Sequence, residues 1–300
     1  MIKEKTTIKD SPVDRLIGII IGVLLFIMVA LIVYPLIYTV SASFSEPMYV
    51  LQGRLFFLPV GFTLEGYELV FRNMDIMIGY RNSLIITFGG TVMQMVVTFL
   101  AAYPLSRRDL WGRNFIMKMF VFTMYFSGGI IPLFIIVRNL GIMNTWWALT
   151  LPVMVSTFNL IIMRTFFERS IPYELQEAAF IDGCSDFGIL CKIVLPLSGP
   201  IIAVISLFYA VAHWNSFFNA LLYINDRSLM PLQIFLREIL VMQGAQALLD
   251  SPTVDMARQM MLAETIRYSV IVVSSVPMLL LYPFIQRFFV KGVMIGALKG

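Results

Sequence analysis

Six stretches of this 300-residue chain contain no Asp, Glu, Lys or Arg: 16–45, 82–106, 119–137, 139–163, 193–225 and 268–286. Each is near or above the roughly 20 residues that an α-helix needs to cross the hydrocarbon layer. An unpaired backbone amide in lipid costs several kcal/mol, so a crossing segment is a helix or a strand of a closed barrel. The strict apolar/polar alternation of barrel strands is absent, so the stretches read as helices. The composition agrees: 59% hydrophobic and 13% charged, against about 45–50% and about 25% in soluble domains. The expectation is an all-α polytopic membrane protein, a single domain over 1–300. Its six transmembrane helices fall at about 16–42, 82–106, 116–138, 143–164, 195–223 and 267–288.

Basic residues set the orientation. With a cytoplasmic N-terminus, fourteen of the 22 Lys and Arg residues fall in inside segments and eight in the longer outside segments. The positive-inside bias then puts both termini in the cytoplasm. This bias accounts for the net charge of +4 without nucleic acid. The apolar run after Lys3, Lys5, Lys9 and Arg15 exceeds the roughly 7–15 residues of a signal-peptide core and reads as a retained helix. Gly18 and Gly22 within it form a G-x-x-x-G, compatible with close helix packing or with chance. Outside, 64–73 reads as a short amphipathic helix, Asp250-Ser251-Pro252 as a turn and 255–267 as helical. Cys184 and Cys191 fall in an inside loop, where a disulfide is not expected. A single histidine, His213, leaves no basis for a metal site.

The longest inside loop, 169–196, carries the most specific signal. Ser170-Ile171-Pro172 reads as a helix start. Glu174 and Glu177 then lie early in the helix, where acidic groups complement its positive end. Gly183, flanked by Asp182 and Ser185, suits a left-handed glycine that ends this helix as a second one begins. Two helices this short are marginal alone in water and need a surface to dock against.

Glu177-Ala178-Ala179, Gly183, Ile193, Leu195 and Pro196 spell E-A-A-x3-G-x9-I-x-L-P. This resembles the motif of permease subunits of binding-protein-dependent ABC importers. Ile171-Pro172-Tyr173-Glu174-Leu175 and Ile181-Asp182-Gly183 are similar to that family as well. Trp214-Asn215 and the tail Phe289-Val290-Lys291-Gly292, Gly296 and Lys299-Gly300 resemble its maltose-type carbohydrate branch, and the long outside segments its oligosaccharide-permease subset. Gln176 departs from the pattern, since many relatives carry a second acid there, which implies a weaker docking charge.

The resemblance implies a type I ABC importer permease fold in the inner or plasma membrane of a prokaryote. It implies that the 169–196 loop is a coupling helix seated in a cytoplasmic ATPase. Glu174, Glu177, Ala178, Ala179, Asp182, Gly183, Ile193, Leu195 and Pro196 are then the coupling residues. Glu177 pairs with a basic residue of the ATPase, the alanines permit close approach and Gly183 makes the bend. The chain contains no Gly-x4-Gly-Lys-Ser/Thr loop, so ATP and Mg are expected on a separate ATPase dimer and no cofactor in this chain. The remaining expected partners are a second homologous permease, an extracytoplasmic solute-binding protein and membrane lipid.

Polar side chains in a span usually face the bundle interior or a water path. Trp214, Asn215, Asn219, Tyr125 and Asn159 are therefore candidates for a sugar pathway. Asn215 and Asn219, four apart, share a face if the helix is continuous. Interhelical hydrogen bonding that holds the bundle together is the favoured reading of the same residues. An ion-coupled transporter normally needs an acid inside a span, and none is present. An amino-acid or peptide importer permease is the nearer alternative, and neither reading makes this chain an enzyme.

Overall fold

A computed structural model describes residues 11–246 and 254–297. Lys3, Lys5, Lys9, the Asp250-Ser251-Pro252 turn and Lys299-Gly300 lie outside the described residues. Among the described residues the chain is helical, and the one β feature is an isolated bridge between Ser45 and Phe62. It divides into two compact units, Met1–Arg72 with Ala245–Val273 and Asn73–Gly244 with Ser274–Gly300.

The first unit begins with α1 (Pro12–Ser43). Ser11 caps it by accepting from the Val13 N–H at 3.2 Å, while Asp14 accepts from the Ser11 N–H at 3.2 Å. At 1.5 Å per residue α1 is about 48 Å long, more than the roughly 30 Å hydrocarbon layer. Most of its apolar side chains are exposed, and a Cβ on Gly18 or Gly22 would meet nothing within 4 Å. Only its end is buried. There the Ser41 hydroxyl donates to the Phe57 carbonyl at 2.6 Å and Phe44 stacks on Phe62 with centroids 5.7 Å apart. Two short helices follow, α2 (Pro47–Leu51) and α3 (Glu65–Arg72), the latter on the expected amphipathic segment.

The second unit is organised around α4 (Met74–Ser106), capped by Asn73, whose side chain accepts from the Asp75 and Ile76 N–H groups. Gly79, Ser83, Thr87, Gly90, Gln94, Thr98 and Ala102 recur every three or four residues and are all buried. One stripe of the buried side of this span is thus small and polar, flanked by larger buried residues such as Ile86, Met95 and Phe99. Lipid tails are as apolar as leucine, so no hydrophobic drive brings spans together; close packing and hydrogen bonds must do it. Three further helices build the bundle: α5 (Arg113–Tyr125), α6 (Ile130–Asn139) and the short α7 (Trp147–Thr150). Against α4 lie α8 (Thr157–Ser170) and, beyond the loop helices α9 (Tyr173–Ile181), α10 (Asp186–Ile189) and α11 (Leu195–Leu197), α12 (Gly199–Trp214). The α4–α12 seam is held by Thr98 to Tyr209 at 2.7 Å and His213 to Gln94 at 3.1 Å, and Gln94 also donates to the Val153 carbonyl at 2.6 Å. After α13 (Phe218–Tyr223), Asn82 donates to the Ser228 and Met230 carbonyls, and Ser83 accepts from the first N–H of α14 (Leu232–Gln246). The last helix is α15 (Val254–Ala297).

Three helical segments, Pro12–Ser43, Met74–Ser106 and Ile266–Pro283, are individually long and apolar enough to cross a membrane. Three bent pairs pass the same test of length and apolarity when each is taken together: Arg113–Tyr125 with Ile130–Asn139 at 113°, Trp147–Val153 with Thr157–Ser170 at 54°, and Asp186–Leu197 with Gly199–Trp214 at 81°. Counting each pair as one crossing gives six. Local chemistry explains each break. Gly129 sits at φ +84, ψ 178, a conformation open essentially to glycine alone. Ser156 caps α8 by accepting from the Asn159 N–H. At the third break the buried Ser198 hydroxyl donates to the Val194 carbonyl just before Gly199-Pro200.

The geometry of the seam makes a steric test. A Cβ on Gly90 would lie 2.5 Å from the His213 Nε2. Gly90→Val is expected to cost about 1–3 kcal/mol as an overpacked interface, lowering the unfolding midpoint in detergent. Gly89→Val, which meets nothing within 4 Å, is the matched control and should leave that midpoint unchanged.

Candidate coupling site

The 169–196 loop folds as a helix, a glycine bend and a second short helix. α9 starts after Pro172, with Glu174 in its first turn. It closes in a Schellman arrangement: the Gly183 N–H bonds the Phe180 carbonyl at 3.0 Å and the Cys184 N–H bonds the Ala179 carbonyl at 2.9 Å. This places Gly183 at φ +78, where a side chain costs about 1–2 kcal/mol. Ser185 caps α10 by accepting from the Gly188 N–H at 3.2 Å. Leu190–Val194, including Ile193, form a π-helical turn leading to Leu195 and Pro196 in α11. Cys184 and Cys191 are both free thiols.

Burial divides α9 into two faces. Gln176 and Ala179 point inward, and Ala179 joins an apolar cluster with Phe99, Ala102 and Tyr103 of α4, Phe167 of α8 and Ile189 of α10. Glu174, Glu177, Ala178, Phe180, Ile181 and Asp182 are exposed. Among the described residues neither Glu174, Glu177 nor Asp182 has an ion-pair partner. Only Ala178 of the alanine pair is therefore free to meet another surface. Gln176 is 5% exposed and its Oε1 has no hydrogen-bond partner. Its missing charge bears on the interior and leaves the exposed acidic face intact.

Behind α9 the turn between α4 and α5 supplies a basic cluster. Arg164 donates to the Leu105 carbonyl at 2.8 Å and to Glu168 at 2.7 Å, and Arg113 reaches Glu168 at 3.4 Å and the Arg107 carbonyl at 3.2 Å. The Arg107 guanidinium lies 5.8 Å from the Tyr103 ring centroid and 5.3 Å from that of Tyr173, and its Nε donates to Asp109 at 3.2 Å. Burial acts to lower the Arg107 pKa, but the hydrogen bond to Asp109 helps to leave it raised overall, so the charge is retained. Two cavities flank this arginine. One of about 530 Å³ is lined by Arg108, Arg113, Glu168, Tyr173 and Gln176, the other of about 490 Å³ by Leu110, Trp111, Phe187 and Leu190, and Arg107 lines both. Trp111 is 95% exposed. The sequence reading missed this cluster; only the tight Arg107-Arg108-Asp109 run hinted at it.

The pathway candidates are not brought to one surface. Trp214 is 3% exposed, packs edge-on to Tyr80 with centroids 5.7 Å apart and donates its indole N–H to the Ser274 carbonyl at 3.1 Å. Asn159 is buried and Tyr125 is 78% exposed. Asn215 and Asn219 do not share a helix face, because α12 ends at Trp214 and α13 begins at Phe218. The Asn215 side chain bonds the Val211 carbonyl at 2.9 Å, competing with continuation of the helix.

Comparison with known proteins assigns the family. The family described as binding-protein-dependent transport system inner membrane component matches residues 94–295. Over 270 residues the chain is 44% identical to the polygalacturonan/rhamnogalacturonan transport system permease protein YtcP of Bacillus subtilis, covering 89% of this chain and 92% of that protein. It is 28% identical over 271 residues to the arabinooligosaccharides transport system permease protein AraQ of Halalkalibacterium halodurans, covering 89% and 91%. The crystal structure of a bacterial ABC transporter involved in the import of the acidic polysaccharide alginate contains a chain with TM-score 0.85 and 33% identity, over 93% of this chain and 99% of that one. With its helical architecture and these similarities, the chain belongs to the binding-protein-dependent inner membrane components of bacterial ABC importers.

Proposed function

We propose that this chain is the permease subunit of an ATP-driven importer that moves a sugar or oligosaccharide into the cytoplasm by alternating access. The carrying observation is α9, a helix whose inner face is built into the bundle while Glu174, Glu177 and Asp182 on its outer face have no ion-pair partner among the described residues. A cytoplasmic ATPase dimer, holding ATP and Mg, docks there. Glu177 meets a basic residue, Ala178 allows approach, and Ala179 with Ile193 anchors the loop to the core. Asp182, Gly183, Leu195 and Pro196 set the bend and the passage into the span.

Phe126 to Gly129 form broken backbone inside the third crossing, and the surrounding residues Tyr125 to Ile131 are exposed. Non-helical backbone at membrane depth is tolerated only against protein or a water-filled cavity. A second homologous permease covering this surface, with the pathway between the two, fits that constraint. Tyr125 and Asn215, both exposed, and the half-buried Asn219 are the candidates with surface to offer that path, while Trp214 and Asn159 position the helices that line it. A solute-binding protein delivers the substrate from outside.

The substrate class we favour is an acidic oligosaccharide of uronic acids, from the likeness to permeases of polygalacturonan/rhamnogalacturonan and alginate import. Two of the outer arginines, Arg227 and Arg72, do not carry this reading. Arg227 is held by Asp75 at 2.9 Å and Glu238 at 3.0 Å, hydrogen bonds that raise its pKa, and Arg72 is 3.5 Å from Glu68.

Two measurements test the proposal. Glu177→Lys and Gly183→Pro should insert normally, yet co-purify less ATPase and lose at least about tenfold in uptake, as expected when about 1.4 kcal/mol of docking is removed. Normal ATP-driven uptake by both variants would sink the coupling assignment. Separately, uptake of labelled trigalacturonate into cells should be suppressed by excess unlabelled oligogalacturonate and not by maltotriose. Suppression by maltotriose alone would overturn the acidic class and leave the coupling intact.

A further inference from the structure

The reading of 169–196 as a coupling loop leaves open how movement of α9 reaches the spans. On its apolar side α9 touches the bundle through Ala179, a small smooth contact. To the α4–α5 turn its connection is different. The Arg107 side chain, 14% exposed, lies against the ring of Tyr103, three residues before the end of α4, where its Nη1 also donates to the Tyr103 hydroxyl at 3.5 Å, and against the ring of Tyr173, the first residue of α9. Asp109 fixes the guanidinium through Nε, and Arg113 fixes the Arg107 backbone through its carbonyl. On either side are the cavities of about 530 and 490 Å³, both lined by Arg107. The loop thus has room to tilt around this contact, and the unpartnered Gln176 Oε1 sits on the inner face of the same helix.

We propose that Arg107 is a positioning residue for energy coupling: its guanidinium, shared between Tyr103 and Tyr173, is the pivot through which displacement of α9 is carried into α4. Apolar contacts slide with little change in energy, whereas a cation held against two rings resists both separation and sideways travel. α4 is the span that packs on both α8 and α12, so a force delivered to its end reaches the rest of the unit. Lysine is a poor replacement because its compact ammonium lacks the planar surface that lies on the rings.

The inference rests on the coupling function proposed for α9. Its test uses the full complex of permeases, ATPase and binding protein in proteoliposomes, with trigalacturonate as the probe. The readouts are ATPase co-purification, ATP hydrolysis with and without loaded binding protein, and uptake per ATP hydrolysed. Arg107→Gln and Tyr173→Leu should keep the ATPase bound and hydrolysing, while uptake per ATP falls by several-fold and up to about thirtyfold, the range spanned by a partly to fully desolvated cation–π pair. Tyr173→Phe, which keeps the ring, should stay within about twofold of the parent, and Arg107→Gln/Tyr173→Leu together should do no more harm than Arg107→Gln alone, since that variant already removes the contact with Tyr173. Uptake per ATP at the parent level in Arg107→Gln, additive losses in the double variant, or a loss matched by equal loss of bound ATPase would each overturn the pivot. Glu177→Lys separates the two levels. If it uncouples and Arg107→Gln does not, only the pivot falls; if it leaves ATPase binding and uptake intact, the coupling function of α9 falls with it.

Discussion

Everything in the larger unit hangs on the inward face of α4. In water a helix buries its apolar stripe; in lipid that stripe gains little from burial, and the helix turns its small and polar residues inward. Gly79 and Gly90 let Phe235 and His213 come close enough that a methyl group would collide with them. Between and beyond these glycines, Asn82, Ser83, Gln94 and Thr98 hydrogen-bond to groups on α12, α14 and the intervening loops. Such contacts average only about 0.6 kcal/mol each in membranes, so the seam is held by their number and fit.

The bent crossings follow from the same accounting of backbone groups. A straight α-helix satisfies itself in lipid, but a bend leaves donors and acceptors that protein or water must meet. Here Ser156, Ser198 and Gly129 sit at the bends and supply a cap, a carbonyl bond and a backbone conformation closed to other residues. The 169–196 loop applies a related rule: the Schellman bonds at Gly183 and the Ser185 cap close two helices too short to stand alone. Their stability comes from the cluster around Phe167, Ala179 and Ile189. The loop is therefore fixed on one side and open on the other.

The crossings, the left-handed glycine and the paired short helices were legible because each depends on local chemistry: hydropathy, φ at one residue, a cap three residues away. The sense of each side chain in the loop was less so. Gln176 read as a missing docking charge, but its position on α9 turns it inward. Asn215 and Asn219 fit one helical face only if the helix continues, and it stops at Trp214 and restarts at Phe218. Trp214 offered an aromatic surface for sugar, yet its ring is buried against Tyr80 and its N–H is committed to Ser274. The seam residues of α4 recur every three to four positions, but small polar groups in a span serve packing or a water path alike, and only their partners on α12 and α14 separate the two.

The sequence by itself determined that the chain is helical and that it crosses a membrane, since these follow from transfer free energies and from local backbone preference; the coupling reading of 169–196 came from its resemblance to a family motif. Only the tertiary structure decided which carboxylates of that loop stay free, which alanine is used up in the core, where the crossings bend and which arginine stands between Tyr103 and Tyr173. Those outcomes depend on groups far apart in the chain, whose distance and burial are set when helices pack and cannot be read from any one segment.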